Sequence, residues 1–294
     1  MYASHRTVTV ASLAPSSGAG VGPILDGAPA PVHRGPCFAT GGGAHPHLED
    51  QRLLLPGSHE STTPDCAAID LWLTGLDGGD LPESKHYLAP DELARAGRFL
   101  NTAAARHYAA ARGTLRVILG YYLGCNPRRV RFQCGEFGKP VLAGGRPSGG
   151  LHFNVSHAAG HAVYAVSAAA EVGVDIECDD GRINLEALAP TICSADELRQ
   201  FQAHPVSEQR ELFFRLWTRK EAYLKCLGRG LSTDPRSLEM PMADLPEVCA
   251  GAGDLRGSVQ TLKPAAGFQV SVAARSPRLK VQNFRWWPSQ APIL

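Results

Sequence analysis

The chain has 294 residues, 44% of them hydrophobic and 19% charged, the balance of a globular protein able to bury a sizeable core in one large domain or two ordinary ones. Its 29 Lys and Arg against 28 Asp and Glu leave a formal charge of +1, which excludes a global field pulling the protein onto nucleic acid or a membrane, so any anion site has to be built from local clusters. No run approaches the roughly 18 apolar residues that span a bilayer, no basic segment with an apolar core marks secretion, and the eight Cys are scattered without a C-x-x-C pair, so the expectation is a cytoplasmic protein with reduced thiols and no membrane contact.

Residues 1–65 are rich in Gly, Pro, Ser and His with little apolar periodicity, a composition that cannot offset the entropy of ordering, and a disordered leader is expected there. The Gly18-Ala19-Gly20-Val21-Gly22 run has no strand before it and Pro23 after it, so it does not read as a dinucleotide loop. Order is expected from near Ala67, where Ile69, Leu71 and Leu73 alternate with Asp70, Trp72 and Thr74 as in a half-buried strand. A helical region over Pro90 to Leu100 follows. Asn101 or Thr102 then caps a long helix to about Leu123, with Leu115, Leu119 and Tyr122 at helical spacing and Arg112 and Arg116 on one face. The basic residues Arg95, Arg98, Arg106, Arg112 and Arg116 are interleaved with acids and read as a solvated helix face rather than a nucleic-acid surface.

Val130 to Phe132, Pro140 to Leu142, Leu151 to Val155 and Ala162 to Ser167 read as short strands between Gly and Pro turns. The triplet Asn154-Val155-Ser156 falls at the end of one of them, which is no place for a glycosylation acceptor. Val172 to Glu177 is a further strand. Ser194 and Glu197 have capping-box spacing, and a second long helix is expected from about Ser207 to Leu227. Strands are expected near Gly257 to Leu262, Phe268 to Ala273 and Val281 to Trp286. Strand, long helix and several strands thus occur twice, which predicts an α+β protein of two similar halves meeting near residue 170.

Alternation in the Val172 strand puts Asp175 and Glu177 on one face, about 7 Å apart by the strand rise, with Val172, Val174 and Ile176 on the other. Such a pair is either a solvated strand face or part of a hard oxygen site for a cation. In the later helix Glu221 and Lys225 stand at i, i+4 away from the apolar stripe of Phe213, Leu216, Trp217 and Leu224, which alone is an ordinary ion pair. That helix stops at Gly228-Arg229-Gly230-Leu231, where a phosphate-bearing ligand could be met. Lys139 projects from the Gly138 to Pro140 turn, and His157 ends a strand beside the Ser156 hydroxyl. A lone His there is more often a structural hydrogen-bonding group than a ligand contact.

Together, Phe137-Gly138-Lys139-Pro140, Phe153-Asn154-Val155-Ser156-His157, Gly173-Val174-Asp175-Ile176-Glu177 and Trp217-Thr218-Arg219-Lys220-Glu221-Ala222, with Lys225 and Gly228-Arg229-Gly230-Leu231, resemble the 4'-phosphopantetheinyl transferases, in particular the larger single-chain type that activates peptide and polyketide synthases. The likeness covers about residues 67–287. It implies a pseudo-twofold pair of α+β halves, 66–170 and 171–288, with the active site in the cleft between them and a tail from 289 to 294. It also implies a monomer whose co-substrate is coenzyme A, whose metal is Mg²⁺ with Mn²⁺ as a substitute, and whose partners are apo acyl, peptidyl or aryl carrier proteins. Carried over residue by residue, Asp175, Glu177 and Glu221 surround the metal, and Glu221, Lys225 and Asp175 carry the chemistry. Lys139, Pro140, Ser156, His157, Arg95, Arg116, Lys220 and Lys225 hold coenzyme A. A silent coenzyme A or carrier-binding module is the alternative, and the presence of all three carboxylates with Lys225 speaks against it.

Overall fold

The computed structural model describes residues 65–77, 82–135, 138–144, 150–228, 233–251 and 256–287. The expected leader, apart from Asp65, and the expected tail lie outside the described residues, as do Phe137 and Arg229 to Leu231 of the motifs. The strands are β1 (Cys66–Gly75), β2 (Phe132–Cys134), β3 (Pro140–Leu142), β4 (His152–Ala158), β5 (His161–Ser167), β6 (Val172–Cys178), β7 (Val248–Ala250), β8 (Gly257–Leu262), β9 (Phe268–Ala274) and β10 (Arg278–Trp287). The helices are α1 (Pro90–Ala96), α2 (Thr102–Leu123), α3 (Leu185–Ile192), α4 (Ala195–Ala203) and α5 (Val206–Cys226).

Two four-stranded sheets form, ordered β10-β1-β5-β4 and β6-β9-β8-β7, beside a small β2-β3 ribbon. Ile69, Leu71, Leu73, Val163 and Ala165 of the first sheet bury themselves against Val172, Val174, Ile176, Val270 and Val272 of the second. The outer face of the first sheet, with Trp72, Tyr164 and Val166, takes Leu115, Ile118 and Leu119 of α2. Val259 and Ala273 on the outer face of the second take Phe213, Leu216, Trp217 and Tyr223 of α5, with α3 and α4 closing that core. The layers therefore run helix, sheet, sheet, helix, with a core between each adjacent pair. This makes the α+β architecture one in which the same connectivity occurs twice: β1 pairs antiparallel with β5 and β5 with β4, as β6 pairs with β9 and β9 with β8.

Several details depart from the sequence expectations. β1 is buried on both faces, because the Asp70 face is covered by α2, where the Tyr122 hydroxyl donates to Asp70 Oδ2 at 2.6 Å and accepts from Trp72 Nε1 at 3.1 Å. α1 stops at Ala96 with Gly97 as its C-cap, and Asn101 adopts extended backbone to cap α2, its side chain accepting from the amides of Ala103 and Ala104. α3 escaped the periodicity because Pro190 interrupts it, although Asn184 caps its start and Leu188, Ala189 and Ile192 are buried. The last strand does not stay with the second sheet: β10 runs parallel to β1 and completes the first. The Arg112 and Arg116 face is not solvated, for both guanidinium groups pair with the buried carboxylate of Glu92, which Arg116 meets at 2.6 Å.

Candidate active site

β6 and β4 are edge strands of different sheets, and they meet side by side. The Val174 amide, which points away from its own sheet, donates to Asn154 Oδ1 of β4 at 2.9 Å. Alternation along β6 then sends Gly173, Asp175 and Glu177 toward α5 while the valines face the sheet–sheet core. Gly173 permits the approach: a Cβ there would lie 2.0 Å from the Ala222 carbonyl oxygen and 2.3 Å from the Cys226 nitrogen. On α5, Trp217, Glu221 and Lys225 recur every four residues and form the stripe that meets these carboxylates.

The Lys225 ammonium donates to Asp175 Oδ1 at 2.6 Å and to Ser156 Oγ at 2.9 Å, while the Ser156 hydroxyl donates to the same Asp175 oxygen at 2.9 Å. Asp175 Oδ2 is buried and has no hydrogen-bond partner among the described residues. The Trp217 indole donates to Glu177 Oε1 at 3.1 Å. Burial raises the Asp175 carboxyl, against the opposing pull of Lys225 and Ser156. Burial, and next to it the Asp175 charge, push Glu177 up to about 8. Burial also pushes Glu221 up to about 7, with Lys225 opposing and Asp175 adding to the rise. For Lys225 burial works against the charge, but Asp175, Glu221 and Glu177 outweigh it and hold the proton on. Three acids that resist ionising thus surround one cation.

The remaining residues that the motifs pointed to separate into two groups. His157 is exposed on β4 next to Ser156, and Pro140 is half-buried opposite Cys134 in the β2-β3 ribbon. The Lys139 ammonium donates to Glu171 Oε2 and to the Val172 carbonyl, each at 2.9 Å, at the start of β6. Arg95 lies over the Tyr108 ring, 5.1 Å from its centroid. Neither Arg95 nor Pro140 contacts the carboxylate group in these interactions, and two further residues are committed elsewhere. Lys220 is fully buried on another side of α5, its ammonium donating to Glu197 Oε2 and to the carbonyls of Ile192 and Pro235. Arg116 is 2% exposed and donates to Glu92 and to the Pro127 and Val130 carbonyls. Both cations thus spend their donors on partners within the core.

A family model described as the 4'-phosphopantetheinyl transferase superfamily matches residues 171–272, the stretch from Glu171 through β9. The chain is 39% identical over 166 residues to the 4'-phosphopantetheinyl transferase HetI of a Nostoc species, covering 56% of this chain and 70% of that protein. The chain belongs to the 4'-phosphopantetheinyl transferase superfamily. Two further members are similar over more of their length: psf-1 of Bacillus pumilus, 30% identical across 67% of this chain and 83% of its own, and Sfp of Bacillus subtilis, 26% identical across 65% and 84%.

Within this transferase the carboxylates do not form a closed ligand cluster: among the described residues no group of three or more His, Cys, Asp and Glu stands arranged to hold a metal ion. The donor set still suits a hard cation. Asp175 keeps a buried oxygen without a partner among the described residues, and Glu177 and Glu221 are acidic oxygens whose charge a divalent ion would stabilise. Trp217 does not stand apart from Glu221 and Lys225 as the apolar stripe led one to expect: the i, i+4 spacing puts all three on one ridge, where the indole donates to Glu177 and Gly173 lets α5 approach.

Proposed function

We propose that this transferase moves the 4'-phosphopantetheine arm of coenzyme A onto a serine hydroxyl of an apo carrier protein, with Asp175, Glu177, Glu221 and Lys225 as the reacting group. The observation that carries the reading is the Lys225, Asp175 and Ser156 contact, with Glu177 and Glu221 close enough to Asp175 for its charge to raise both. Asp175, Glu177 and Glu221 would hold Mg²⁺, or Mn²⁺ in its place. When bound, that ion supplies positive charge to the pyrophosphate and to the phosphate that leaves. The two similar halves would form a pseudo-twofold pair enclosing coenzyme A, with Ser156, His157, Lys139 and Arg95 toward its nucleotide end.

The step makes one bond and breaks one. The serine oxygen attacks the phosphorus that bears the pantetheine arm, and the phosphorus–oxygen bond to adenosine 3',5'-bisphosphate breaks. The serine proton needs an acceptor, and Glu221, a carboxyl raised to about 7 only while no cation lies beside it, would take it directly or through a water. Lys225 stays protonated among three acids and steadies the charge on the leaving phosphate. Acyl, peptidyl and aryl carriers all present a serine of suitable chemistry, and their acidic helices would meet a partly basic, partly apolar groove. Incubation with coenzyme A, Mg²⁺ and a panel of apo carriers tests the reading. Gain of one phosphopantetheine by intact mass supports it, whereas coenzyme A binding with no modified carrier across the panel leaves a silent binding module.

A further inference from the structure

Outside the carboxylate group, Glu171 lies in the short link between β5 and β6, where the chain passes from one sheet to the other. Its carboxylate binds two side chains at once: Lys139 Nζ donates to Oε2 at 2.9 Å, and His152 Nδ1 of β4 lies 2.9 Å from Oε1. Its carbonyl accepts from the Arg275 amide at 2.9 Å and from Cys226 Sγ at 3.1 Å. The Lys139 stem passes Gly228 just beyond α5, where an added Cβ would lie 3.8 Å from its Cδ. Five segments are therefore gathered on one residue: the turn before β3, the starts of β4 and β6, and the ends of α5 and β9. The hydrogen bond from His152 comes first in pulling the Glu171 carboxyl down to about 2, and Lys139 adds to it against burial, so the carboxylate is an anion at any working pH.

Two of the three Lys139 N–H donors are committed, to Glu171 and to the Val172 carbonyl, and among the described residues the third has no partner and can serve a ligand. Val172 precedes Asp175 by three residues, about 10 Å along the strand. That separation suits a second anionic group of an elongated ligand rather than the reacting phosphate. A free lysine stem would have to be ordered on binding; a clamped one is already in place.

We propose that Glu171 is a positioning residue for coenzyme A, clamping Lys139 so that its ammonium meets the nucleotide-bearing end of the ligand. The inference rests on the proposed transfer reaction and concerns the same site. The experiment compares full-length wild type, Glu171→Gln, Lys139→Ala and the double variant, by steady-state transfer to a saturating apo carrier and by calorimetric binding of coenzyme A. Glu171→Gln is expected to raise both KM and Kd for coenzyme A about tenfold with kcat within about twofold, the signature of lost binding rather than lost chemistry. The double variant should bind no worse than Lys139→Ala, because the carboxylate acts through the lysine. Glu171→Asp, which draws the carboxylate back by one methylene, should fold where Gln does not and show a smaller KM rise at the same kcat. An unchanged or lowered KM in either variant, or a fall in kcat that tracks a fall in Tm, overturns the proposal. A wild type that binds coenzyme A yet modifies no carrier sinks the transfer reading instead, and the calorimetric arm then decides the role of Glu171 by itself.

Discussion

Lys225 and Asp175 form a 2.6 Å ion pair across the α5 and β6 contact, and only one of the two Asp175 oxygens takes part. The lysine side chain keeps 27% of its exposure and the aspartate 4%, so the pair is dry on the strand side and open on the other. Lys225→Ala should therefore lower the single-turnover transfer rate by about 100-fold or more, in the range of a lost acid–base or charge partner. Lys225→Arg should not restore it, since a planar guanidinium is no substitute for a compact ammonium between Ser156 and Asp175. A Lys225→Ala enzyme within about threefold of wild type would remove the lysine from the chemistry.

Trp217→Phe keeps the ring in the core and deletes only the N–H that Glu177 accepts. Stability should fall by about 1 kcal/mol. The Glu177 carboxyl, which that bond holds down, should rise further. Mg²⁺ should consequently bind more weakly at neutral pH, read by calorimetry; identical affinity in the two proteins would mean that Glu177 is not a ligand.

The raised acids carry a definite sign. A carboxyl whose folded pKa exceeds its unfolded value disfavours the native state as pH climbs above the unfolded value, with the loss growing to about 7 for Glu221 and about 8 for Glu177. Metal-free protein should lose stability across that window, and Glu177→Gln should flatten the loss. Mg²⁺ should bind more tightly near pH ~8 than near pH ~6 and displace protons as it binds. Equal thermal shifts by Mg²⁺ at both values would contradict the carboxylate site.

Arg116 and Glu92 are a structural pair, 3% and 4% exposed. Arg116→Ala should cost about 2 to 3 kcal/mol in urea unfolding, less than leaving a buried charge alone, because Arg112 and the Ala89 amide still hold the Glu92 carboxylate. The Glu92 carboxyl is held low, its contacts with Arg116, Arg112 and the Ala89 amide outweighing burial. Its stabilisation is therefore complete above the unfolded value and fades as pH falls through the folded one. Replacing both partners with apolar residues should recover much of the loss; a loss confined to coenzyme A binding, with normal stability, would return Arg116 to the ligand.

The period-two pattern in β1 and β6 and the helical spacing in α2 and α5 made the main elements readable, because the apolar side chains of each gather on the face that meets the core, even where polar residues on the other face are buried too. Asp175 and Glu177 were legible as a pair for the same reason. What the pattern could not carry was long-range: that β10 would cross to β1, that the Asp70 face would be covered by Tyr122, and that Lys220, adjacent to Glu221, would turn into the core to meet Glu197. A one-residue step on a helix rotates a side chain about 100°, so neighbours within one motif reach different surroundings. Glu171 lies outside every motif, and its role depends on contacts with residues 19 and 32 positions away.

Whether Asp175, Glu177, Glu221 and Lys225 act as one group is tested most directly by the single-turnover rate of carrier modification, followed by intact mass, for Asp175→Ala, Glu221→Gln and the double variant. Each single change is expected to reduce transfer by about 100-fold or more with the fold intact, and the double variant to be little worse than the worse single, as for residues sharing one catalytic task. Small effects that simply add, with Asp175→Ala near wild-type turnover at an unchanged Mg²⁺ requirement, would contradict it.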